Sequence, residues 1–325
     1  MAARLNPVAA SSREEIVDLR VVAVADLDPL LEEELAAWRD EHEWDFSKSA
    51  SLARRFVGAH ALSGRVLAVD GRAVGYLYFV FEDYKALIGD LYILRAFRTE
   101  EREDLLLRSA LDEIFASRHT TRVEAQLLML THAPDRVLPG AEQARVFCRN
   151  FMRADLNTAD LGEGKVRRPM YLEAWSDHYT HGAAALIAEA YAGHVDSWIN
   201  DQYRSPAGAR RFLHNIVAYP GCGAFSQPAS CLAFEAVTGQ LCGLSLASLV
   251  SPESGHITQI CVSPSARGTG IGLALLRQSL LALRKAGCRS AGLTVTAANE
   301  GAVALYERVG FRTIHQFPAY AWQLV

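Results

Sequence analysis

The chain has 325 residues, half of them hydrophobic and 22% charged, and its 33 basic and 37 acidic residues leave a net charge of −4. That composition is globular: it excludes a disordered chain, a coiled coil and a collagen-like repeat, and the length fits two domains. A weakly acidic chain has no global electrostatic reason to seek nucleic acid or an anionic membrane.

No apolar run is long enough to span a bilayer, and the opening MAARLNPVAASSREE lacks a signal-peptide core, so a cytoplasmic protein is expected. None of the six cysteines forms a C-x-x-C pair, so they read as reduced thiols, with no zinc or other metal. The first dozen residues read as a frayed terminus.

Glu15 to Val24 reads as a strand, and Leu27 to Trp38 and Ser47 to His60 read as helices. Gly64 to Asp70 and Arg72 to Phe81 form a hairpin pattern around Asp70-Gly71. A strand near Ala86 to Leu94, a charged helix from Thr99 to Ser117, a strand from Arg122 to Leu130 and a helix from Ala141 to Asn150 complete the first half. The polar stretch Asn157 to Arg168 is the candidate junction, dividing the chain into domains 1–165 and 166–325. The strand Met170 to Trp175 fits either side of it.

The second half repeats the order. Gly182 to Ala192 and Ala207 to Val217 read as helices, and Cys231 to Val237 and Gln240 to Val250 as strands joined at Thr238-Gly239. Then come a strand from His256 to Ser263, a helix from Gly270 to Ala286, a strand from Leu293 to Thr296, a helix from Glu300 to Arg308 and two strands in the tail Arg312 to Leu324. The fold class is therefore α/β, with two similar units, each a mixed twisted sheet flanked by helices.

The segment His256 to Gly272 carries the most information. A strand ends near Pro264, and Gly268, Gly270 and Gly272 open a helix. A helix N-terminus offers unpaired N–H groups beside the positive end of its dipole, and glycines let a phosphate approach the backbone. A tight turn without a ligand fits the glycines too. A Rossmann loop fails on spacing, because G-x-G-x-G replaces G-x-G-x-x-G and no acidic residue ends the next strand. A P-loop fails because Leu273-Ala274 stands where Lys-Ser/Thr is needed.

A second segment, Asn299-Glu-Gly-Ala-Val-Ala-Leu-Tyr-Glu-Arg-Val-Gly-Phe311, follows a strand. Together with Arg267-Gly-Thr-Gly-Ile-Gly272 it resembles the two cofactor motifs of the GNAT superfamily of acetyl-CoA-dependent N-acetyltransferases. Ser265 departs from the Gln or Arg usual there. The resemblance implies acetyl-CoA as cofactor, with the backbone of Ile260, Cys261 and Val262 pairing with the pantetheine arm. It implies Arg267, Gly268, Thr269, Gly270, Ile271 and Gly272 at the pyrophosphate, Asn299 on the cofactor arm and Tyr306 near the thioester sulfur. Tyr306 would protonate the leaving thiolate or simply pack as a core aromatic.

The same resemblance implies a direct attack of a small-molecule or peptide amine through a tetrahedral intermediate, or an acyl-CoA sensor that has lost its chemistry. His256 is the candidate base, at the start of the strand before the phosphate turn; its alternative is an exposed histidine at a strand edge. Asp196, Trp198, Asp201 and Tyr203 are candidates for the acceptor, or else an ordinary solvated helix end. The first half has Glu100, Glu101 and Glu103 where the glycines should be and only a faint echo of the later motif in Ala144 to Phe151, so it reads as a degenerate copy. Tandem arrangements occur in the superfamily, the mycothiol-synthase type among them.

Overall fold

The computed structural model describes residues 13–131, 136–162 and 164–324; the expected frayed opening lies outside them. The first half runs β1 (Glu14–Asp18), α1 (Val24–His42), α2 (Ser47–Gly58), β2 (Ser63–Val69), β3 (Arg72–Glu82), β4 (Lys85–Ile93), α3 (Glu100–Ala116), β5 (Arg122–Gln126) and β6 (Ala144–Asp155). The second runs β7 (Met170–Ala174), α4 (Thr180–Ala190), α5 (Asp196–Ile199), α6 (Pro206–Ala218), β8 (Ala224–Phe225), β9 (Cys231–Glu235), β10 (Leu241–Ser251), β11 (Ser254–Val262), α7 (Ile271–Lys285), β12 (Ser290–Thr296), α8 (Glu300–Val309) and β13 (Arg312–Gln323). Local chemistry explains many of the joints. Asp70 and Gly71 both take positive φ, 50° and 79°, which suits the two-residue turn of the β2–β3 hairpin.

Among the described residues thirteen strands form one sheet, ordered β1-β2-β3-β4-β5-β13-β6-β12-β11-β10-β9-β7, with β8 beside β10. The order reads the same from both ends if the last strand of each half is exchanged. β13 completes the first half by pairing with β5, through Ala319↔Gln126 to Gln323↔Arg122. β6 completes the second by pairing with β12, through Ser290↔Asp155 to Thr296↔Arg149. The exchanged strands also pair with each other over most of their length. β7 pairs with β9 and edges the second half, which settles the side to which the strand after the junction belongs.

Two expectations are corrected. The segment read as a helix from Ala141 to Asn150 is a short 3-10 turn followed by β6. Phe147 and Phe151, four apart, mimic a helical stripe, but Val146 and the two phenylalanines suit a strand, which pairs with β13 from Ala144 onward and with β12 as well from Arg149. The supposed echo of the later motif disappears with that helix. The tail is one strand, not two, with a register shift between Thr313 and His315.

Helices cover both faces. The first-half core packs Leu30, Leu67, Leu77, Leu91, Leu106 and Trp322. In the second half Leu276, Leu280, Leu293 and Phe311 pack beneath α7 and α8, while Trp175, Ile187, Leu213 and Leu246 pack beneath α4 and α6. Among the described residues no helix is long and apolar enough to cross a membrane.

Candidate active site

β11 and β12 start as a parallel pair. Their ladder runs from Ser254↔Ser290 to Ile257↔Leu293 and stops there. On its other side β11 stays with β10 as far as Val262. The register there jumps: Leu246 faces Gln259 and Ala247 faces Ile257, so Thr258 is an extra residue, and its hydroxyl donates to the Leu246 carbonyl at 3.1 Å. A bulge bends a strand. Beyond it β11 swings away from β12, leaving the edge of Thr258–Val262 without a ladder partner and opening a wedge in the sheet.

The turn after β11 lies at the mouth of this wedge. Gly268 and Gly270 have φ of 73° and 92°, the left-handed region that favours glycine. A Cβ on Gly270 would sit 2.4 Å from the Lys165 carbonyl, so the chain 165–167 lies directly on the turn, where the Arg167 N–H also donates to the Thr269 carbonyl at 2.8 Å. Gly272, one residue into α7, would bring a Cβ only to ordinary contact with Val262 and Leu305, at 3.6 and 3.8 Å. The amides of the first turn of α7 lack intrahelical acceptors. Lys165, Arg167, Arg267 and Arg308 line the same cleft, whose volume is about 1010 Å³. The guanidinium of Arg267 donates to the Ala190 carbonyl at the end of α4. An open strand edge, a ring of amides and four cations suit an extended pantetheine ending in a pyrophosphate.

Across the wedge stands a polar wall from α4, α5, β6 and α8. The Tyr191 hydroxyl donates to Gln259 Oε1 at 2.8 Å, and its ring stacks on Tyr203 at 4.5 Å. Asp196 accepts hydrogen bonds from Arg149 Nη1 at 3.1 Å and from the Thr296 hydroxyl. His194 lies between Asp196 and Asn299. Asn299 also caps α8, its Oδ1 accepting from the Ala302 N–H at 3.4 Å. Tyr306 is buried in the wedge, and burial, with the Asp196 charge behind it, raises its hydroxyl above the ordinary tyrosine range. Burial likewise pushes the Cys261 thiol up to about 12, so it stays protonated.

The cleft thus brings together Ile260, Cys261, Val262, Arg267, Gly268, Gly270, Gly272, Asn299, Tyr306, Asp196 and Tyr203. Thr269 and Ile271 belong to the same turn without lining the cleft. The Thr269 hydroxyl closes on the Ala266 carbonyl at 2.6 Å, and Ile271 is buried in the core beside Leu275.

Three expected site residues lie elsewhere. His256 pairs with Gly292 before the wedge opens and is buried against Trp44 and Phe151; burial lowers its pKa to about 4, and its Nδ1 has no partner. Its register is the first reason, since the β11–β12 ladder is still closed at His256, and the bulge at Thr258 changes its face as well. Plain alternation puts His256 and Ile260 on one face, whereas the extra residue moves His256 to the face of Gln259 and Cys261. Asp201 joins the halves instead of facing the cleft. It is buried, and its carboxylate takes Lys85 and the Tyr84 hydroxyl. Burial pushes its carboxyl pKa up, but the bonds from Lys85 and Tyr84 and the charges of Lys85 and Arg122 outweigh that and hold it below the usual range. Trp198 is 42% exposed and lies between the guanidinium groups of Arg145 and Arg204, at 4.0 and 5.0 Å from its ring.

The unforeseen members of the site are Arg149, Lys165, Arg167, Tyr191, His194, Gln259, Thr296 and Arg308. Gln259 was within reach of a reading, standing beside Ile260 on the motif strand. Arg149 was hidden by the mistaken helix. Among the described residues no group of three or more His, Cys, Asp or Glu is placed to hold a metal ion.

Residues 152–311 match the acetyltransferase (GNAT) family. Mycothiol acetyltransferase of Corynebacterium jeikeium is 32% identical over 71 residues, 22% of this chain and 21% of that protein, so the match spans about a fifth of that relative's length. A GCN5-related N-acetyltransferase from Sphaerobacter thermophilus superposes with a TM-score of 0.68 at 19% identity, covering 95% of each chain. A tandem GNAT protein from the clavulanic acid biosynthesis pathway superposes with a TM-score of 0.59 at 18% identity, covering 96% of this chain and 98% of that one. At those identities the two structures share the fold. The family match, the wedge and its glycine turn agree, and residues 152–311 of the chain belong to the acetyltransferase (GNAT) family.

Proposed function

We propose that the protein is an acetyl-CoA-dependent N-acetyltransferase that acts on a primary amine of a small molecule or peptide. Acetyl-CoA would lie in the wedge of the unit 166–325, and the unit 1–165 would be a degenerate copy that shapes the acceptor side. The observation that carries this reading is the opening of the β11–β12 ladder beside the glycine turn, with Asn299 and Tyr306 in the same cleft.

Bound there, acetyl-CoA supplies an activated acyl group. The chain's residues then have separable tasks. The free edge of Thr258–Val262 aligns the thioester, and a strand amide holds the developing oxyanion. The amides of Gly268–Gly272 and the surrounding cations hold the pyrophosphate. Tyr306, kept protonated by burial, is suited to give its proton to the departing thiolate. One relative's name, mycothiol acetyltransferase, supports a small-molecule acceptor.

The test is free-thiol release from acetyl-CoA with a panel of amines, amino acids and peptides, beside calorimetric titration with coenzyme A. The expected result is one coenzyme A per chain and turnover with at least one amine. Tight binding without turnover on the panel would make the protein a sensor; no binding would remove the cofactor assignment.

A further inference from the structure

We propose that His194 is the base that takes the ammonium proton of the acceptor, with Asp196 as its positioning residue. The inference deepens the acetyltransferase reading and rests on it.

His194 emerges by elimination and then by geometry. Of the titratable side chains in the cleft wall, Lys165 and the arginines are cations. Tyr191, Tyr203 and Tyr306 are all pushed by burial away from deprotonation, as is Cys261. The Asp196 carboxylate is already engaged by Arg149 and Thr296. His194 remains, a side chain 24% exposed that water or an amine can reach. An imidazole is the side chain suited to move a proton near neutral pH.

N–H groups approach both ring nitrogens. The Asp196 backbone nitrogen is 3.2 Å from Nδ1. The side-chain nitrogen of Asn299 is 3.3 Å from Nε2, and because Asn299 Oδ1 caps α8, the group facing the ring is its NH₂. A neutral imidazole has one lone pair, so it accepts from one of these donors at a time; Nε2 is the acceptor in the tautomer whose Nδ1–H faces the Asp196 carboxylate. The carboxylate of Asp196, its Oδ2 3.7 Å from Nδ1, balances the charge once a proton arrives. Tyr191 meets the ring edge-on at 5.3 Å and fixes its plane. The charged and titratable groups around His194 are thus Asp196 and Tyr191 beside it, Arg149 of β6 acting through Asp196, and Tyr306 of α8.

In the step, the ammonium gives one proton to Nε2, which turns the Asn299 amide away. The neutral amine then forms a C–N bond to the thioester carbonyl carbon, and the carbonyl electron pair moves to oxygen. As that pair returns, the C–S bond breaks and coenzyme A leaves as thiolate. The thiolate takes a proton from Tyr306, which regains one from the former amine nitrogen, and His194 gives its proton to solvent. The sum is ammonium plus acetyl-CoA giving amide, coenzyme A thiol and one proton.

The test compares the wild type with His194→Gln, His194→Gly and Asp196→Asn by thiol release over a pH series and by calorimetry with coenzyme A. Turnover should fall about 100-fold in His194→Gln, with coenzyme A affinity within about twofold of wild type. The acidic limb of kcat/KM should vanish. Added imidazole should restore part of the rate of His194→Gly, and Asp196→Asn should move the limb to lower pH. Wild-type rate and pH profile in His194→Gln overturn the proposal. So does a loss of coenzyme A affinity as large as the loss of rate, which would make His194 a binding residue. A wild type that binds coenzyme A yet acetylates no amine overturns the acetyltransferase reading, and the base with it.

Discussion

The two halves build the same wedge and then use it in opposite ways. In each, a parallel pair of strands runs for four residue pairs and stops, β4–β5 at Ile88↔Ala125 and β11–β12 at Ile257↔Leu293. In each, one extra residue lies at the opening, Gly89 in the first and Thr258 in the second. The segments beyond the two strands differ. After β11 come left-handed glycines, and no strand pairs with the edge, where the Ile260 N–H donates to Gln259 Oε1 at 2.9 Å. After β4, Arg98 donates to the carbonyl of Ile93, the counterpart of Val262. α3 starts at a Thr99 cap with Glu100, Glu101 and Glu103 in its first turn, so the helix end answers its dipole with its own charges. Glu103 is 1% exposed and bound by Arg136, while Leu127, Met129, Leu130 and Leu138 are buried beyond the end of the β4–β5 ladder. The backbone geometry is common property; the few residues after the strand decide whether the wedge is filled or left as a cleft.

The largest effect should come from the closed wedge. Arg136 has a nearly buried side chain tied to Glu103 and Asp104. Removing one partner of a buried pair costs about 3–5 kcal/mol, so Arg136→Ala should lower unfolding free energy by that amount in a denaturant titration. Coenzyme A affinity should not change. A weaker affinity with unchanged stability would mean that the first wedge takes part in binding.

Next comes the seam between the halves. His42 of α1 and His256 of β11 are buried, and burial lowers both pKa values to about 4, with the charges of His315 and Arg153 adding to the effect at His42. A histidine of the unfolded chain titrates near 6.5. Between pH 6.5 and 4 the unfolded state therefore binds protons that the folded state refuses, and stability falls as pH falls. The limit is roughly 3 kcal/mol for each ring. Melting curves across that range should show the loss, and His256→Leu should remove about half of it. A flat profile would place water or a partner at these nitrogens.

At the open wedge, Tyr306→Phe keeps the ring and deletes the hydroxyl. Turnover should drop about 100-fold, near 2.7 kcal/mol of barrier; an unchanged rate leaves Tyr306 a packing residue. Gly270→Ala forces a Cβ against the Lys165 carbonyl and turns the amides of the turn. It should weaken coenzyme A binding by about 1–3 kcal/mol, read by calorimetry. The smallest effect is expected at Trp198, which lies outside the cleft: Trp198→Ala should cost about 1 kcal/mol of stability or less, the worth of its two arginine contacts, and leave turnover unaltered.

How far the site could be read ahead depended on how local its chemistry is. That Gly268, Gly270, Asn299 and Tyr306 share one cleft was legible because a strand, its turn and the next helix are neighbours in the chain. The fold class came from the same alternation of elements. Arg149 and Asp201 were not legible, since their meaning comes from partners far away; Lys85 and Asp201 are separated by 116 positions. His256 failed because it lies before the point where the β11–β12 ladder opens, and because of a bulge. One inserted residue reverses the faces of a strand, and nothing in Ile257-Thr258-Gln259 announces a bulge. The mistaken helix over residues 141–150 shows that a half-exposed strand with aromatics four apart can imitate helical spacing.

The exchange of β6 and β13 has a consequence for how the chain is made. The first sheet gains its sixth strand only when residues 312–323 exist, and the ladder that closes it joins positions roughly 200 apart. Contacts of such separation close slowly, because the loop must lose its freedom before the pairing rewards it. During synthesis β5 therefore waits as an uncovered edge, the kind that recruits strands from other chains. β6, made early, waits equally for β12. A cut between the halves would take from each sheet the strand that completes it.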